Sequence, residues 1–337
     1  MWLFFNNKVI DALGVLCNEF SVILGFDQHA IETAVHSLMY GDVVVFPTET
    51  VYGLGGDATN DLAVAKIYQI KNRPTFNPLI AHFFCIKQVQ EYVEVTPAAY
   101  RLAQAFWPGP MTMILKRKEG CSISLLASAG LEYIGVRIPN HPVALALLES
   151  FGRPIVAPSA NMSTKISPTS AKDAMSALNN QDLLIVDGGK CKVGIESTII
   201  DLSYGKATIL RPGAITREDI SKFVEISDNV PTEIKSPGQM KCHYCPNSSV
   251  RLNVADLQPG EALLGFENTK DILPNPGKHI CLNLSESGDL GEAAANLFSM
   301  LRELDQLGPS AIAIMPIPNE GIGIAINDRL TRAASQK

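Results

Sequence analysis

Residues 28–46 read QHAIETAVHSLMYGDVVVF. Apolar Ile31, Ala34, Val35 and Leu38 recur at helical spacing, so the stretch predicts a helix over 28–40 that Gly41 stops. Residues 43–46, VVVF, are a short run of mostly β-branched side chains, the pattern of a strand buried on both faces. A helix running into a buried strand opens an α/β fold. Further strands are expected at 79–82, 111–116, 134–138, 154–157, 183–186, 198–202 and 208–210. Helices at 62–70, 97–107, 143–149 and 171–178 fit between several of them. These elements make one mixed α/β domain ending near Arg217.

From 228 to 247 the periodicity fades into a run holding Pro231, Pro237, Gly238 and Pro246, the composition of an irregular linker. Beyond it, strands are expected at 250–254, 262–266 and 280–284. A helix over 290–307 carries Ala293, Leu297, Leu301 and Leu304 on one stripe; a strand at 311–315 and a helix after Gly323 follow. Helices between strands imply a small parallel, doubly wound module. On the other side of the opening stretch, Ile10, Leu13, Cys17 and Phe20 suit a short amphipathic helix. Asp11 and Glu19 interrupt the apolar patches there, so neither a signal peptide nor a membrane span is read.

At ~150 residues per domain, 337 residues make about two domains. Charged residues are only 18% and hydrophobic ones 46%, which excludes a disordered or highly charged binding protein. The net charge of −6 argues against non-specific duplex binding, so any polyanion site is focal. Seven scattered cysteines are not a secreted disulfide framework and fit a reducing cytoplasm.

The strand ends of the first domain carry clusters of small, hydroxyl and basic residues, and ligands of open α/β sheets bind beyond strand ends. Lys71, Arg73, Arg137 and Arg211 each adjoin a Pro, Gly or Asn turn and could place four cations around one cavity, suited to a polyphosphate or a carboxylate plus a phosphate. Lys71 and Arg73, two apart in extended chain, can project to the same side. No G-x-x-x-x-G-K-[ST] occurs. Gly53 to Ala58 loosely match a dinucleotide fingerprint, but the preceding strand ends too early, at Phe46, for the tight turn that motif needs. Cys242-His243-Tyr244-Cys245 is a C-x-x-C without a second pair at zinc-ligand spacing. No G-x-S-x-G is present to support serine hydrolase chemistry. Among the dispersed histidines, His82 falls at a strand mouth.

In order, the first domain carries the motifs FPTETVYGLG (46–55), KNRP (71–74), NPLIxH (77–82), WPGPxT (107–112), VRIPxHP (136–142), APSAN (157–161), SPT (167–169), GIESTIID (194–201) and LRPG (210–213). As an ordered set they resemble those of the threonylcarbamoyl-adenylate synthase family in its longer, two-domain form. The second domain matches more loosely, through Pro237-Gly238, HYxP (243–246) and GIGxAI (321–326). The resemblance implies a YrdC-like α/β domain over 27–217, its twisted mixed sheet curled around an open cavity. It further implies a linker over 218–247 that acts as a lid and a small Rossmann-like domain over 248–337, with residues 1–26 left as an extension. The implied reaction joins L-threonine, bicarbonate and ATP into threonylcarbamoyl-AMP and pyrophosphate, for modification of the adenosine beside the anticodon of certain tRNAs by downstream transfer machinery.

Carried over by position, threonine falls to Thr50, His82, Arg137, the Ala157 backbone and Ser197. ATP falls to Lys71, Arg73, Asn77, Ser159, Asn161, Ser167, Arg211 and, from the linker, Tyr244. The implied reaction requires no protein nucleophile, and since the sequence offers no carboxylate cage for a metal, magnesium is expected to ride mainly on the ATP phosphates and water. Neither a membrane nor a stable nucleic-acid complex is expected. Tyr133 stands where the family has a smaller hydroxyl residue, and Gln239 to Cys242 lack the aromatic usual two residues before the His. Two rivals use the same domain type. An RNA-binding module calls for aromatic platforms or basic runs along a groove, which the sequence lacks in quantity. A carbamoyl-transfer enzyme with another donor usually adds acylphosphatase and zinc-finger modules, for which no segment matches.

Overall fold

A computed structural model of the chain describes residues 3–5, 8–10, 21–178, 182–203, 206–228, 236–237, 243–270, 272 and 280–335. The helix expected around Leu13, Cys17 and Phe20 lies outside these residues, as do Pro231, Gly238 and the stretch from Gln239 to Cys242. Ile10, expected in that helix, ends a strand instead: β1 (Leu3–Phe5) and β2 (Lys8–Ile10) form an antiparallel hairpin.

The main body begins with β3 (Val22–Gly25), α1 (Gln28–Met39), β4 (Val44–Phe46), β5 (Gly53–Asp57), α2 (Asp61–Lys71), β6 (Ile80–His82), α3 (Ile86–Tyr92) and α4 (Pro97–Phe106). It continues through β7 (Met111–Lys116), β8 (Tyr133–Arg137), α5 (Pro142–Phe151), β9 (Ile155–Val156), α6 (Ala171–Ala177), β10 (Leu184–Asp187), β11 (Thr198–Asp201), β12 (Thr208–Arg211) and α7 (Arg217–Ser221). Ten of these strands form one mixed sheet in the order β12-β11-β7-β8-β6-β9-β5-β4-β10-β3. Helix starts follow capping chemistry. Asp27 accepts the Ala30 amide, Asn60 those of Leu62 and Ala63, and Thr96 and His141 each cap a helix opening on proline.

Alternation along β4 sends Val44 and Phe46 to one face, where Ile31, Leu38, Leu147 and Leu148 of α1 and α5 cover them. Val45 faces the other way, into the main core with Ile67 of α2, Leu102 of α4 and Ala174 of α6. Helices on both faces explain why the strands read as unbroken apolar runs. The sheet also takes in residues 22–25, which the sequence reading leaves in the N-terminal extension; β3 pairs parallel with β10.

The loose dinucleotide fingerprint is strand β5, antiparallel to β4 and β9. Its glycines serve close packing. A Cβ on Gly55 would fall 2.5 Å from a Phe46 ring carbon and 2.8 Å from Ile155. No phosphate loop stands there.

The C-terminal body comprises β13 (Ser249–Arg251), β14 (Ala262–Gly265), β15 (Cys281–Asn283), α8 (Leu290–Gln306), β16 (Ala311–Ile314) and α9 (Gly323–Ala334). Its four strands are all parallel, in the order β13-β16-β14-β15. The stripe on α8 packs with Leu264, Ile312, Ile326 and Leu330, and the same cluster takes in Val51, Ile166 and Ile195 of the first body. Gly194 (φ +75°) lies so close to α8 that a Cβ there would meet the Ala294 carbonyl oxygen at 2.5 Å. The two bodies are therefore joined by core packing as well as by the connecting chain.

Candidate functional site

Arg137 ends β8 and His82 ends β6, and their parallel register sets the two side by side. The Thr48–Val51 turn, closed by the Thr48 hydroxyl on the Val51 carbonyl at 2.7 Å, brings Glu49 and Thr50 onto the Arg137 guanidinium. Nη1 donates to Thr50 Oγ1 at 3.0 Å, Nη2 pairs with Glu49 Oε1 at 2.7 Å, and Nε donates to the Gly109 carbonyl at 3.3 Å. Both Arg137 and Glu49 are buried. The fork that sequence reading assigns to a substrate carboxylate thus holds a carboxylate of the protein's own.

His82 is buried, with Phe46 edge-on at 6.2 Å and no partner on Nδ1 among the described residues. Burial, reinforced by Arg137, lowers its pKa to about 3, so the imidazole is neutral at physiological pH. Ser197 Oγ lies 2.8 Å from Thr112 Oγ1, and the Ala157 amide is held by the Ile80 carbonyl at 3.0 Å.

Lys71 is the last residue of α2, and Asn72 terminates the helix in the left-handed conformation (φ 49°). The chain is therefore not extended there, contrary to the sequence argument; the left-handed turn is what brings Arg73 inward behind Lys71. Lys71 Nζ donates to the Ser159 and Asn161 carbonyls. Arg73 donates to the carbonyls of Asn77 and Pro78 at 3.0 and 2.9 Å. Arg211, at the end of β12, donates through Nε to the Ser197 carbonyl at 3.0 Å and through Nη2 to Ser197 Oγ at 3.1 Å. Asn161 uses its amide nitrogen on the Met162 and Lys165 carbonyls, and its Oδ1 is buried without a partner among the described residues.

Lys71, Arg73 and Arg211 are all buried, and among the described residues none of them forms an ion pair with a carboxylate. Burial and the neighbouring Arg73 drive the Lys71 ammonium well below the usual lysine range. Burial lowers Arg73 to about 10 and also lowers Arg211. Arg211 acts on Arg73, and Arg137 in turn acts on Arg211. The structure thus gathers the four cations picked out from the sequence. Buried cations held only by carbonyl and hydroxyl oxygens are costly to the fold and suited to an anion.

Glu196, Arg329 and His243 complete the cluster and went unassigned in the sequence reading. Glu196 Oε1 accepts the Ser167 hydroxyl at 2.6 Å, and Oε2 pairs with Arg329 Nε of α9 at 3.3 Å. Burial pushes the Glu196 carboxyl up, but Arg329, Arg211 and the Ser167 hydroxyl together bring it to about 2. Tyr244 is buried in left-handed backbone (φ 63°), stacked on Phe298 at 5.2 Å, with the Arg329 guanidinium 5.8 Å from its ring. His243 is neutral: burial outweighs Glu196, and with Arg73, Arg211 and Lys71 lowers its pKa to about 3. Glu49 and Glu196 both lie inside the quoted motifs, so their signal was available. Arg329 sits in an ordinary amphipathic helix and had none.

Residues 36–213 match the Sua5/YciO/YrdC family model, described as telomere recombination, and residues 215–335 match the model described as the threonylcarbamoyl-AMP synthase C-terminal domain. The threonylcarbamoyl-AMP synthase of Bacillus subtilis (strain 168) is 37% identical over 329 residues, covering 92% of this chain and 94% of the relative. That of Pyrococcus abyssi is 35% identical over 331 residues, covering 92% and 96%. The crystal structure of P. abyssi Sua5 complexed with L-threonine resembles this fold with a TM-score of 0.83 at 32% identity, over 93% of this chain and 98% of that one. Together with the motif order and the gathered cations, these matches establish that the chain belongs to the threonylcarbamoyl-AMP synthase family, in its two-domain form.

Proposed function

We infer that this chain condenses L-threonine, bicarbonate and ATP into L-threonylcarbamoyl-AMP, releasing pyrophosphate and water. The observation that carries the reading is the set of three buried cations, Lys71, Arg73 and Arg211, beside the Arg137, Thr50, His82 and Ser197 corner. One side suits a polyphosphate, the other an amino acid.

In this reading Arg137 receives the threonine carboxylate, Glu49 yielding its place on the fork, while Thr50, neutral His82, Ser197 and the Ala157 backbone orient the rest of the molecule. The threonine amine captures carbon dioxide as a carbamate, and a carbamate oxygen attacks the α-phosphorus in line and expels pyrophosphate. Lys71, Arg73 and Arg211 offset the phosphate charge that otherwise repels an anionic nucleophile; Asn77, Ser159, Asn161 and Ser167 fix orientation without adding charge. Tyr244, from the linker, covers the nucleotide. Positioning of two bound reactants supplies up to about 7–11 kcal/mol, so no covalent nucleophile is required. Magnesium enters with ATP, as part of the substrate.

The product serves tRNA modification by separate transfer machinery in the cytoplasm. Among the described residues no helix is long and apolar enough to cross a membrane. The test is pyrophosphate release from ATP with bicarbonate, with and without L-threonine, with serine as control. Threonine-dependent release is expected. Its absence from folded protein that binds ATP overturns the reading and favours carbamoyl transfer or RNA binding.

A further inference from the structure

Arg329 is wholly buried although it belongs to α9 of the C-terminal body. Its guanidinium faces the ends of β11 and β12 in the first body: Nη1 donates to the Pro212 carbonyl at 2.6 Å, Nη2 to the Glu196 carbonyl at 3.4 Å, and Nε pairs with the Glu196 carboxylate. Pro212 follows Arg211, and Glu196 precedes Ser197, the residue that accepts both Arg211 hydrogen bonds. Asp328 adds a second carboxylate, 3.1 Å from Nη1.

We propose that Arg329 is a positioning residue for ATP: by holding the buried Glu196 carboxylate, it keeps that carboxylate from pairing with Arg211 and Lys71 and so leaves those cations to the polyphosphate. This rests on the ATP reading of the cluster. Glu196 acts electrostatically on both Lys71 and Arg211, yet its carboxylate is turned to Arg329 and Ser167. Without Arg329 a buried anion acts on two cations, Lys71 and Arg211, that have no other carboxylate partner among the described residues, and pairing with one of them is its nearest relief. The same guanidinium lies against the ring of Tyr244, so one side chain of the second body meets both the floor of the cluster and the residue that covers it.

The experiment measures the dissociation constants of magnesium-ATP and of L-threonine by titration calorimetry for the full chain, Arg329→Met, Glu196→Gln and the double variant. Arg329→Met is expected to weaken ATP by about 10- to 100-fold, the range of an ordinary coupling between sites, and threonine far less. The double variant, which has no carboxylate left to capture a cation, recovers most of the ATP affinity. ATP affinity unchanged in Arg329→Met, or a double variant as weak as the single one, overturns the proposal and leaves Arg329 a structural residue. Should Arg329→Met fail to fold, the double variant carries the test, because it buries no unpaired carboxylate: near-normal ATP affinity supports the electrostatic role and weak binding overturns it. A wild-type chain that does not bind ATP defeats the underlying reading instead.

Discussion

Acid should destabilise this protein well above the carboxylate range, and two deeply buried imidazoles set most of the effect, with His141, lowered by its partial burial, adding in the same direction. His82 and His243 both have a pKa near 3 in the fold against 6.5 in the unfolded chain, for the same leading reason, burial, joined by Arg137 at His82 and by Arg73, Arg211 and Lys71 at His243. Between those values the unfolded chain binds more protons than the folded one, so stability is full above about pH 6.5 and falls as pH drops through the window. Between pH 7 and pH 5 each imidazole costs about 2 kcal/mol, about 4 kcal/mol together. Glu196 adds nothing over that interval, since its unfolded value is 4.5 and its folded value about 2, so its contribution is lost only at lower pH. With a urea dependence of about 3 kcal/mol per molar, the unfolding midpoint should fall by rather more than about 1 M. Urea titrations at both pH values, read by circular dichroism, check this. His82→Gln and His243→Gln should each remove about half of the drop. A wild-type midpoint that does not move between pH 7 and pH 5, or single variants that lose as much as wild type, would refute the burial argument.

Arg137→Ala leaves Glu49 buried without its partner, so it should destabilise the fold by about 3–5 kcal/mol as well as abolish threonine-dependent pyrophosphate release. The Glu49→Gln/Arg137→Met pair should regain most of that stability and none of the activity, as thermal unfolding and the turnover assay will report. Lys71→Met should raise the ATP dissociation constant at least about tenfold in calorimetry, since a charge-assisted contact is worth about 1.5–3 kcal/mol, while threonine binding holds. Gly55→Ala forces a methyl group against Phe46 and Ile155 and should cost about 1–3 kcal/mol in urea unfolding; unchanged stability would mean the β4–β5 pair is looser than its packing implies.

What could be read from the sequence, and what could not, divides by the range of the interaction that decides it. Helices α1, α2, α4, α5, α6 and α8 begin and end within two residues of their expected bounds, and α9 begins where expected, because capping residues and apolar stripes are local signals. Strand β7 falls on its expected limits for the same reason. Strand β5 has no such signal, because Gly53, Gly55 and Gly56 carry no β propensity; Gly55 admits Phe46 and Ile155 of other strands, and Gly56 admits Ala63 and Ile67 of α2. At the site, order and spacing picked out Lys71, Arg73, Arg137 and Arg211, but not their partners. That Arg137 is engaged by Glu49 and that Glu196 is engaged by Arg329, 133 positions away, are facts of tertiary packing that no window of sequence contains.

The pairing pattern separates two kinds of buried charge. Arg137 and Arg329 each face a carboxylate, so their burial is offset within the protein. Lys71, Arg73 and Arg211 rest on carbonyl and hydroxyl oxygens, which satisfy their hydrogen bonds but not their charge. A fold selected for stability alone would pair or delete such groups; keeping three of them together is costly unless an anion of matching charge completes the site. A triphosphate meets that need, and its binding should therefore stabilise the chain strongly: at a concentration 100 times its dissociation constant, ATP adds about 2.7 kcal/mol to the unfolding free energy. Lys71→Met should show a smaller gain at the same ATP concentration.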